Sequence, residues 1–232
     1  MKIETIKNSN IFNHDFKAPW LNEISYEEWC KFLAHNYAYG REEAYYIIRD
    51  YVGNKNKKLF LEIGFGNGYD FEHCFQYLHE MGHIIYKGWE ITEQFVKYAR
   101  KKFNNYNSCF SVGSFWDLCP ATSRHQDKEF DIIYTRHTLE HQHPYDGYNY
   151  FANLLRTTKE LAIVTWFKPP KKEKFTWNDR DGKNKGAYVN TYSKEKLMSI
   201  VKKFGFNLRK IDINYKKFYN QMWIMKKDTI DG

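Results

Sequence analysis

The chain has 232 residues, a formal net charge of +8 and 19% aromatic residues. That length suits one α/β domain with a substantial core, and so aromatic a composition excludes a disordered chain. The charge is mainly lysine and accompanies abundant Asn, Ile, Tyr and Phe, the joint bias of an A/T-rich genome. Scattered lysine makes a solvated face, whereas nucleic-acid recognition recruits clustered arginine, so nucleic acid is disfavoured as a partner without being excluded.

Ser25 and Glu28 fit a capping box, and Trp29, Phe32 and Leu33 follow at helical spacing. A second helical pattern covers residues 41–51, with Tyr45, Ile48 and Val52 on one side and Gly53-Asn54 at its end. Residues 1–56 therefore read as a helical extension ahead of a domain spanning 57–232. Leu59, Phe60, Leu61 and Ile63 then form a short buried strand interrupted by Glu62. Gly64, Gly66 and Gly68 follow at alternate positions, with Asn67 among them, and a new helical pattern opens. Glycines let the backbone take φ > 0 and admit a ligand without a Cβ in the way, and the N–H groups at the helix start suit an anionic or polar group. A dinucleotide fingerprint would need its third glycine at position 69, which is Tyr69.

The stretch Glu62-x-Gly64-x-Gly66-x-Gly68 instead resembles the first motif of class I S-adenosylmethionine-dependent methyltransferases. That resemblance covers roughly residues 57–225. It implies that Glu62 orients the turn near the cofactor's amino-acid end. The N-terminal segment has two readings: a helical pair packed on the sheet, as aromatic stripes at helical spacing usually are, or, as the resemblance implies, a cap over an acceptor pocket that brings Tyr37, Tyr39 and Arg41 within reach of the cofactor carboxylate.

Residues 69–81 read as a helix with Phe71, Phe75 and Leu78 inward and Gly82 past its end. Residues 84–90 make the second strand, which ends on Glu90 about twenty residues past the glycines. A nucleotide site puts a carboxylate there to accept ribose hydroxyls. The next helix covers 91–103, with Phe95, Tyr98 and Ala99 facing in, and Ile91 beside the cofactor. A third strand spans 109–114. In the family the residues after it border the adenine, often with an aspartate; here Ser114 and Phe115 take those positions, a departure from the family pattern.

The fourth strand spans 129–135. The pattern Phe130-Asp131-x7-Leu139-Glu140-His141, with Pro144 shortly after, resembles the matching stretch of small-molecule methyltransferases. By that resemblance Thr135 and Arg136 lie along the cofactor, and His137 and His141 lie near the methyl acceptor. An imidazole titrating near neutrality can take the proton that a hydroxyl acceptor must lose. Two other readings of these histidines stay open: backbone-bonded packing residues, or, with His143, metal ligands on one helix face. Metal binding is disfavoured because no cysteine or carboxylate completes a set. Cys30, Cys74, Cys109 and Cys119 show neither C-x-x-C nor metal spacing, as expected of free thiols in a reducing cytoplasm.

A helix over 146–158 leads to a buried fifth strand over 161–167. Residues 168–192 then lose periodicity, with Pro169-Pro170, Lys171, Lys172, Lys174, Phe175 and Trp177, and read as a substrate-side loop for a polar, acidic or sugar-like acceptor. Ser193 caps a last helix that Gly205 stops, and 206–213 and 218–225 alternate as an antiparallel hairpin. The fold expected is α/β: a doubly wound, mostly parallel seven-stranded sheet with a closing hairpin and an N-terminal helical extension. The function expected is methylation of a small-molecule or saccharide hydroxyl, the alternatives being an RNA or protein methyltransferase or a non-catalytic cofactor-binding module. No apolar run approaches the about 18–20 residues of a membrane span, and no signal-peptide apolar region opens the chain. A cytoplasmic protein without a membrane partner is expected.

Overall fold

The computed structural model describes residues 41–53, 57–119, 127–166, 169–179, 186–215 and 218–227. The capping box at Ser25, the helix after it, Tyr37 and Tyr39 lie outside the described residues. Helix α1 (Arg41–Val52) buries Ala44, Ile48 and Val52, the period that three to four residues per turn requires, and Gly53 ends it at φ +46°. This helix lies in the same apolar cluster as Phe60, Phe71 and Tyr134, so it packs directly on the sheet.

The sheet has seven strands: β1 (Lys58–Ile63), β2 (Ile84–Glu90), β3 (Phe110–Val112), β4 (Phe130–Arg136), β5 (Thr158–Trp166), β8 (Phe206–Tyr215) and β9 (Phe218–Lys227). Their spatial order is β3-β2-β1-β4-β5-β9-β8. Neighbours from β3 to β5 are parallel, while β9 runs antiparallel to both β5 and β8. Chain order reverses between β1 and β4, and a cleft opens at such a switch point beyond the carboxyl ends of the strands. The central strands are buried on both faces, which is why Phe60-Leu61 and Ile132-Ile133-Tyr134 read as continuous apolar runs.

Between the strands lie α2 (Gln76–Glu80), α3 (Glu93–Lys102), α4 (Gly147–Thr157) and α5 (Lys194–Lys203). Helix α2 is preceded by a π-helical turn, Phe71–Phe75, that periodicity alone cannot reveal. Phe71, Phe75 and Leu78 point inward as expected, and Ser193 caps α5 by accepting from the Lys196 amide at 3.3 Å. On α3, Phe95, Val96 and Ala99 are the buried positions; Tyr98 is only half-buried.

The segment expected to be an irregular loop over 168–192 instead contains a two-stranded antiparallel ribbon, β6 (Trp177–Asp179) with β7 (Gly186–Tyr188). Bridges at Lys171–Ser193 and Lys174–Thr191 tie its base. Short strands of three residues carry too little alternation to be read from sequence. Cys74, Cys109 and Cys119 are free thiols. Among the described residues, no helix is long and apolar enough to cross a membrane.

Candidate active site

The glycine turn leaves β1 with Gly64, Gly66 and Gly68 at φ +78°, +57° and +74°, a left-handed region that side-chain-bearing residues rarely adopt. Two of the three glycines make room for the protein's own side chains. A Cβ on Gly64 would overlap the Thr138 side chain, and one on Gly68 would come within 2.7 Å of the Phe103 ring. Gly64 thus lets the turn after β1 close against the turn after β4.

Glu90, at the end of β2, is buried and accepts from the Gly66 amide at 3.0 Å and the Thr92 amide at 3.1 Å. Burial raises its pKa, and these backbone donors work the other way. Ile91 beside it is 47% exposed, and Val112, at the end of β3, is 51% exposed. Val112 carries no motif, and only the parallel pairing of β2 with β3, Glu90 opposite Val112, brings it here.

A set of charged side chains lies under the turn on the α1 side. Arg136 reaches Asp70 through two bonds, Nε to Oδ2 and Nη2 to Oδ1, both 2.8 Å, and the Tyr134 hydroxyl adds a third at 3.0 Å. Burial opposes the Arg136 charge, yet Asp70 and its neighbours raise the pKa above the ordinary value. Glu62 is 2% exposed and accepts from the Tyr86 hydroxyl at 2.5 Å. Burial, together with the negative charge of Asp70, pushes its carboxyl up to about 8, with the Tyr86 hydrogen bond acting in the opposite direction. An acid with its folded pKa raised contributes stability that is complete below its unfolded value of about 4.3 and lost as pH rises through the folded one. Stability should therefore fall between pH 5 and 9 by an amount that Glu62→Gln removes, measured as urea midpoints at matched pH. Equal slopes for the two chains would rule out a raised Glu62.

Arg41 is 7% exposed, stacks 4.2 Å from the centre of the Tyr69 ring, and its Nη1 has no hydrogen-bonding partner among the described residues. Sequence periodicity marks Arg41 only as the first residue of a helix.

The other expected contacts are committed locally. Ser114 caps the 3-10 turn Phe115–Leu118, accepting from Trp116 while Asp117 accepts from the Ser114 amide at 2.7 Å. Phe115 is buried and stacks on Tyr150. Thr135 donates to the Ile63 carbonyl at 2.9 Å, stitching β4 to β1. Asn67 is buried and accepts from the Tyr69 amide.

Beyond β4 the chain does not continue as a helix, which corrects the expectation that His137 and His141 share one helix face. His137 stands at φ +52° and donates its backbone N–H to the Thr165 carbonyl, and a single 3-10 turn, Leu139–His141, follows. The break follows because the His137 amide extends the β4–β5 ladder. A non-glycine residue in the left-handed region is costly, and such residues collect at functional sites. Burial, with Arg136 and His141 nearby, holds the His137 imidazole well below the usual range, hence neutral. His141 Nδ1 lies 2.7 Å from the Tyr188 carbonyl of β7.

The strand order, with its antiparallel strand beside β5, and the Glu-x-Gly-x-Gly-x-Gly turn at the switch point define a class I S-adenosylmethionine-dependent methyltransferase. A family described as a methyltransferase domain matches residues 37–211, and the chain belongs to that family. No curated protein sequence matches it. Among solved structures it is similar to the Burkholderia thailandensis 1,6-didemethyltoxoflavin-N1-methyltransferase, which has S-adenosylhomocysteine bound (17% identity, 88% of this chain and 84% of that one, TM-score 0.61). The magnesium protoporphyrin IX methyltransferase of Synechocystis PCC 6803, with S-adenosylmethionine bound, is alike to a similar degree (14% identity, 91% and 95%, TM-score 0.60). So is the putative methyltransferase in complex with the Haloferax volcanii Trm112 methyltransferase activator (12% identity, 87% and 97%, TM-score 0.56).

The cofactor of the family is S-adenosylmethionine, and the residues present suit it. A buried guanidinium N–H without a partner calls for an anion, and the cofactor's amino-acid end ends in a carboxylate. Glu90 is a hydrogen-bond acceptor at the end of β2 beside the glycine turn, the type of group that a ribose hydroxyl can donate to.

Proposed function

We propose that this methyltransferase methylates a hydroxyl group of a small polar molecule or saccharide, with His141 as the general base. The cofactor supplies an electrophilic methyl on a sulfonium with a good leaving group. The protein then has to hold the reacting atoms in line and remove the acceptor's proton. The observation that carries the reading is the bond between His141 Nδ1 and the Tyr188 carbonyl. A carbonyl only accepts, so Nδ1 carries the hydrogen and Nε2 carries the lone pair of the neutral ring. His137, held neutral by its surroundings, is the weaker base and contributes a polar wall. Small-molecule ligands of neighbouring structures on this fold support an acceptor of that size.

On the cofactor side, Gly64, Gly66 and Gly68 shape the turn with Glu62 and Asn67 behind it, and Glu90 takes the ribose. Ile91 and Val112 carry the adenine, and Arg41 takes the carboxylate. Ser114, Phe115, Thr135 and Arg136 support these from behind, since their polar atoms or ring faces already have internal partners.

Glu90→Ala is expected to weaken S-adenosylmethionine binding by about 1–3 kcal/mol, the loss of hydrogen bonds to a charged group. Calorimetry reads this directly, and an unchanged Kd would remove Glu90 from the site. His141→Ala, assayed with tritiated S-adenosylmethionine on a panel of hydroxyl compounds, is expected to lower turnover roughly 10²–10⁴-fold with cofactor affinity unchanged. A fall in thermal stability alone would make His141 a packing residue.

The net charge of +8 favours a second reading, methylation of RNA or protein. RNA binding that weakens steeply with added salt would support it, and salt-independent or absent binding would eliminate RNA. Failure of any acceptor class to yield S-adenosylhomocysteine would instead indicate a non-catalytic cofactor-binding module.

A further inference from the structure

The segment leaving β7 crosses the turn that carries His141 and is tied to four consecutive residues of it. The Tyr192 hydroxyl donates to the Leu139 carbonyl at 3.0 Å. The Asn190 backbone N–H donates to the Glu140 carbonyl at 3.0 Å, and Asn190 Nδ2 to the Gln142 carbonyl at 2.7 Å. His141 Nδ1 completes the series by donating to the Tyr188 carbonyl. Asn190 alone supplies two of the four ties, one from its backbone and one from its side chain, and the residue is 0% exposed. Tyr192 is 1% exposed and sits so close to α4 that a Cβ on Gly147 would overlap its ring, so the far end of the crossing is anchored in the core.

The tautomer of His141 depends on a backbone carbonyl, and backbone carbonyls are placed by whatever fixes the chain around them. Histidine rings in water favour the Nε2–H form, so the Nδ1–H form here needs the Tyr188 carbonyl held in place. The Val189 amide, in the same peptide unit, donates to the Thr176 carbonyl at 2.9 Å and fixes that carbonyl on the ribbon side; Asn190, two residues further on, is bonded to both sides of His141 and fixes it against the 139–142 turn.

We propose that Asn190 is a positioning residue for methyl transfer: it pins the chain after β7 across the 139–142 turn, so that His141 keeps its hydrogen on Nδ1 and presents Nε2 as the proton acceptor. This rests on the reading of His141 as the general base. In that step the acceptor's O–H bond breaks and its proton joins Nε2, giving an imidazolium whose Nδ1–H still faces Tyr188. The oxygen uses the freed electron pair for its new bond to the methyl carbon, the cofactor's sulfur keeps the pair of the broken C–S bond, and the Nε2 proton is later released to water.

The test is long-range ¹H–¹⁵N spectroscopy of the full chain labelled with ¹⁵N-histidine, with the His141 signals assigned by their loss in His141→Gln. The wild-type chain is expected to show a protonated Nδ1 and an unprotonated Nε2 above the ring's titration. Asn190→Ala is expected to move His141 towards the Nε2–H form while S-adenosylmethionine affinity, read by calorimetry, stays unchanged. If that chain does not fold, Asn190→Asp keeps the side-chain size, removes the donor to Gln142, and is expected to give the same shift. Tyr192→Phe, which removes the long 3.5 Å bond from Asn190 Nδ2 to the Tyr192 hydroxyl but leaves both Asn190 ties to the turn, is expected to keep the wild-type tautomer. An Nε2–H signal in the wild-type chain overturns the proposal, as does an unchanged tautomer in the folded Asn190 variants. The two readings fail separately: full methyl transfer by His141→Ala removes the base, whereas the spectrum tests the placement without any acceptor.

Discussion

Replacing Asp70 with asparagine is expected to destabilise the protein by about 3–5 kcal/mol, the cost of leaving one partner of a buried ion pair behind. Asp70 is 3% exposed and receives two guanidinium bonds from Arg136 and one from Tyr134. An amide of the same size cannot accept from three donors as a carboxylate does, and it leaves the Arg136 charge without a counter-ion. In a chain of this length each kcal/mol moves the melting temperature by about 2–4 °C, so calorimetry will resolve the loss easily. Asp70→Leu combined with Arg136→Met should recover most of the stability, because removing both charges also removes the desolvation cost. If the double variant is no better than Asp70→Asn, the pair is not acting as an isolated unit and Glu62, Tyr134 and Arg41 belong to the same network.

The second large effect is expected at Gly64. Alanine there must hold φ near +78°, which costs roughly 1–2 kcal/mol. Its Cβ also overlaps Thr138, and overpacking of that kind costs typically about 1–3 kcal/mol. The sum, about 2–5 kcal/mol, should appear as a lower urea midpoint with an unchanged m-value. Thr138→Ala in the same chain is expected to relieve the overlap and leave the conformational cost, giving partial rescue. Full rescue would mean that φ is not strained, and no rescue that Thr138 is not the obstacle. Because this contact joins the cofactor turn to the turn bearing His137 and His141, the single variant should also disturb both sides of the site at once.

The glycine turn illustrates how far local pattern reaches. Alternate glycines after an apolar run already imply positive φ and a strand-to-helix junction, and Glu90 follows from the length of one β-α-β unit. The strand sequence, the caps at Ser193 and Gly205 and the inward faces of the helices are equally local, since each depends on the period of neighbouring residues. Reasons that lie across the sheet are not. The obstruction that makes Gly64 necessary is Thr138, seventy-four residues later, and the partner of Arg136 is Asp70 on another element. Arg136 reads as a cofactor contact by resemblance, and its burial against Asp70 emerges only once β1 and β4 are neighbours.

The histidines mark the same boundary. Composition and spacing put His137 and His141 beyond a strand that ends in the cleft, but a four-residue separation suggests a shared helical face that the chain does not form. The ladder bond from His137 to Thr165 and the ribbon crossing at Tyr188, Asn190 and Tyr192 decide their orientation. Sequence by itself determined the class of fold, the glycine turn after β1 and the acids at the strand ends, because those are set by backbone conformation and by periods of two and 3.6 residues. Only the tertiary structure decided which glycine faces a side chain, which charges neutralise each other and which nitrogen of His141 holds the hydrogen. Each of those depends on a partner far along the chain, brought close by the strand order of the sheet or by the ribbon that crosses it.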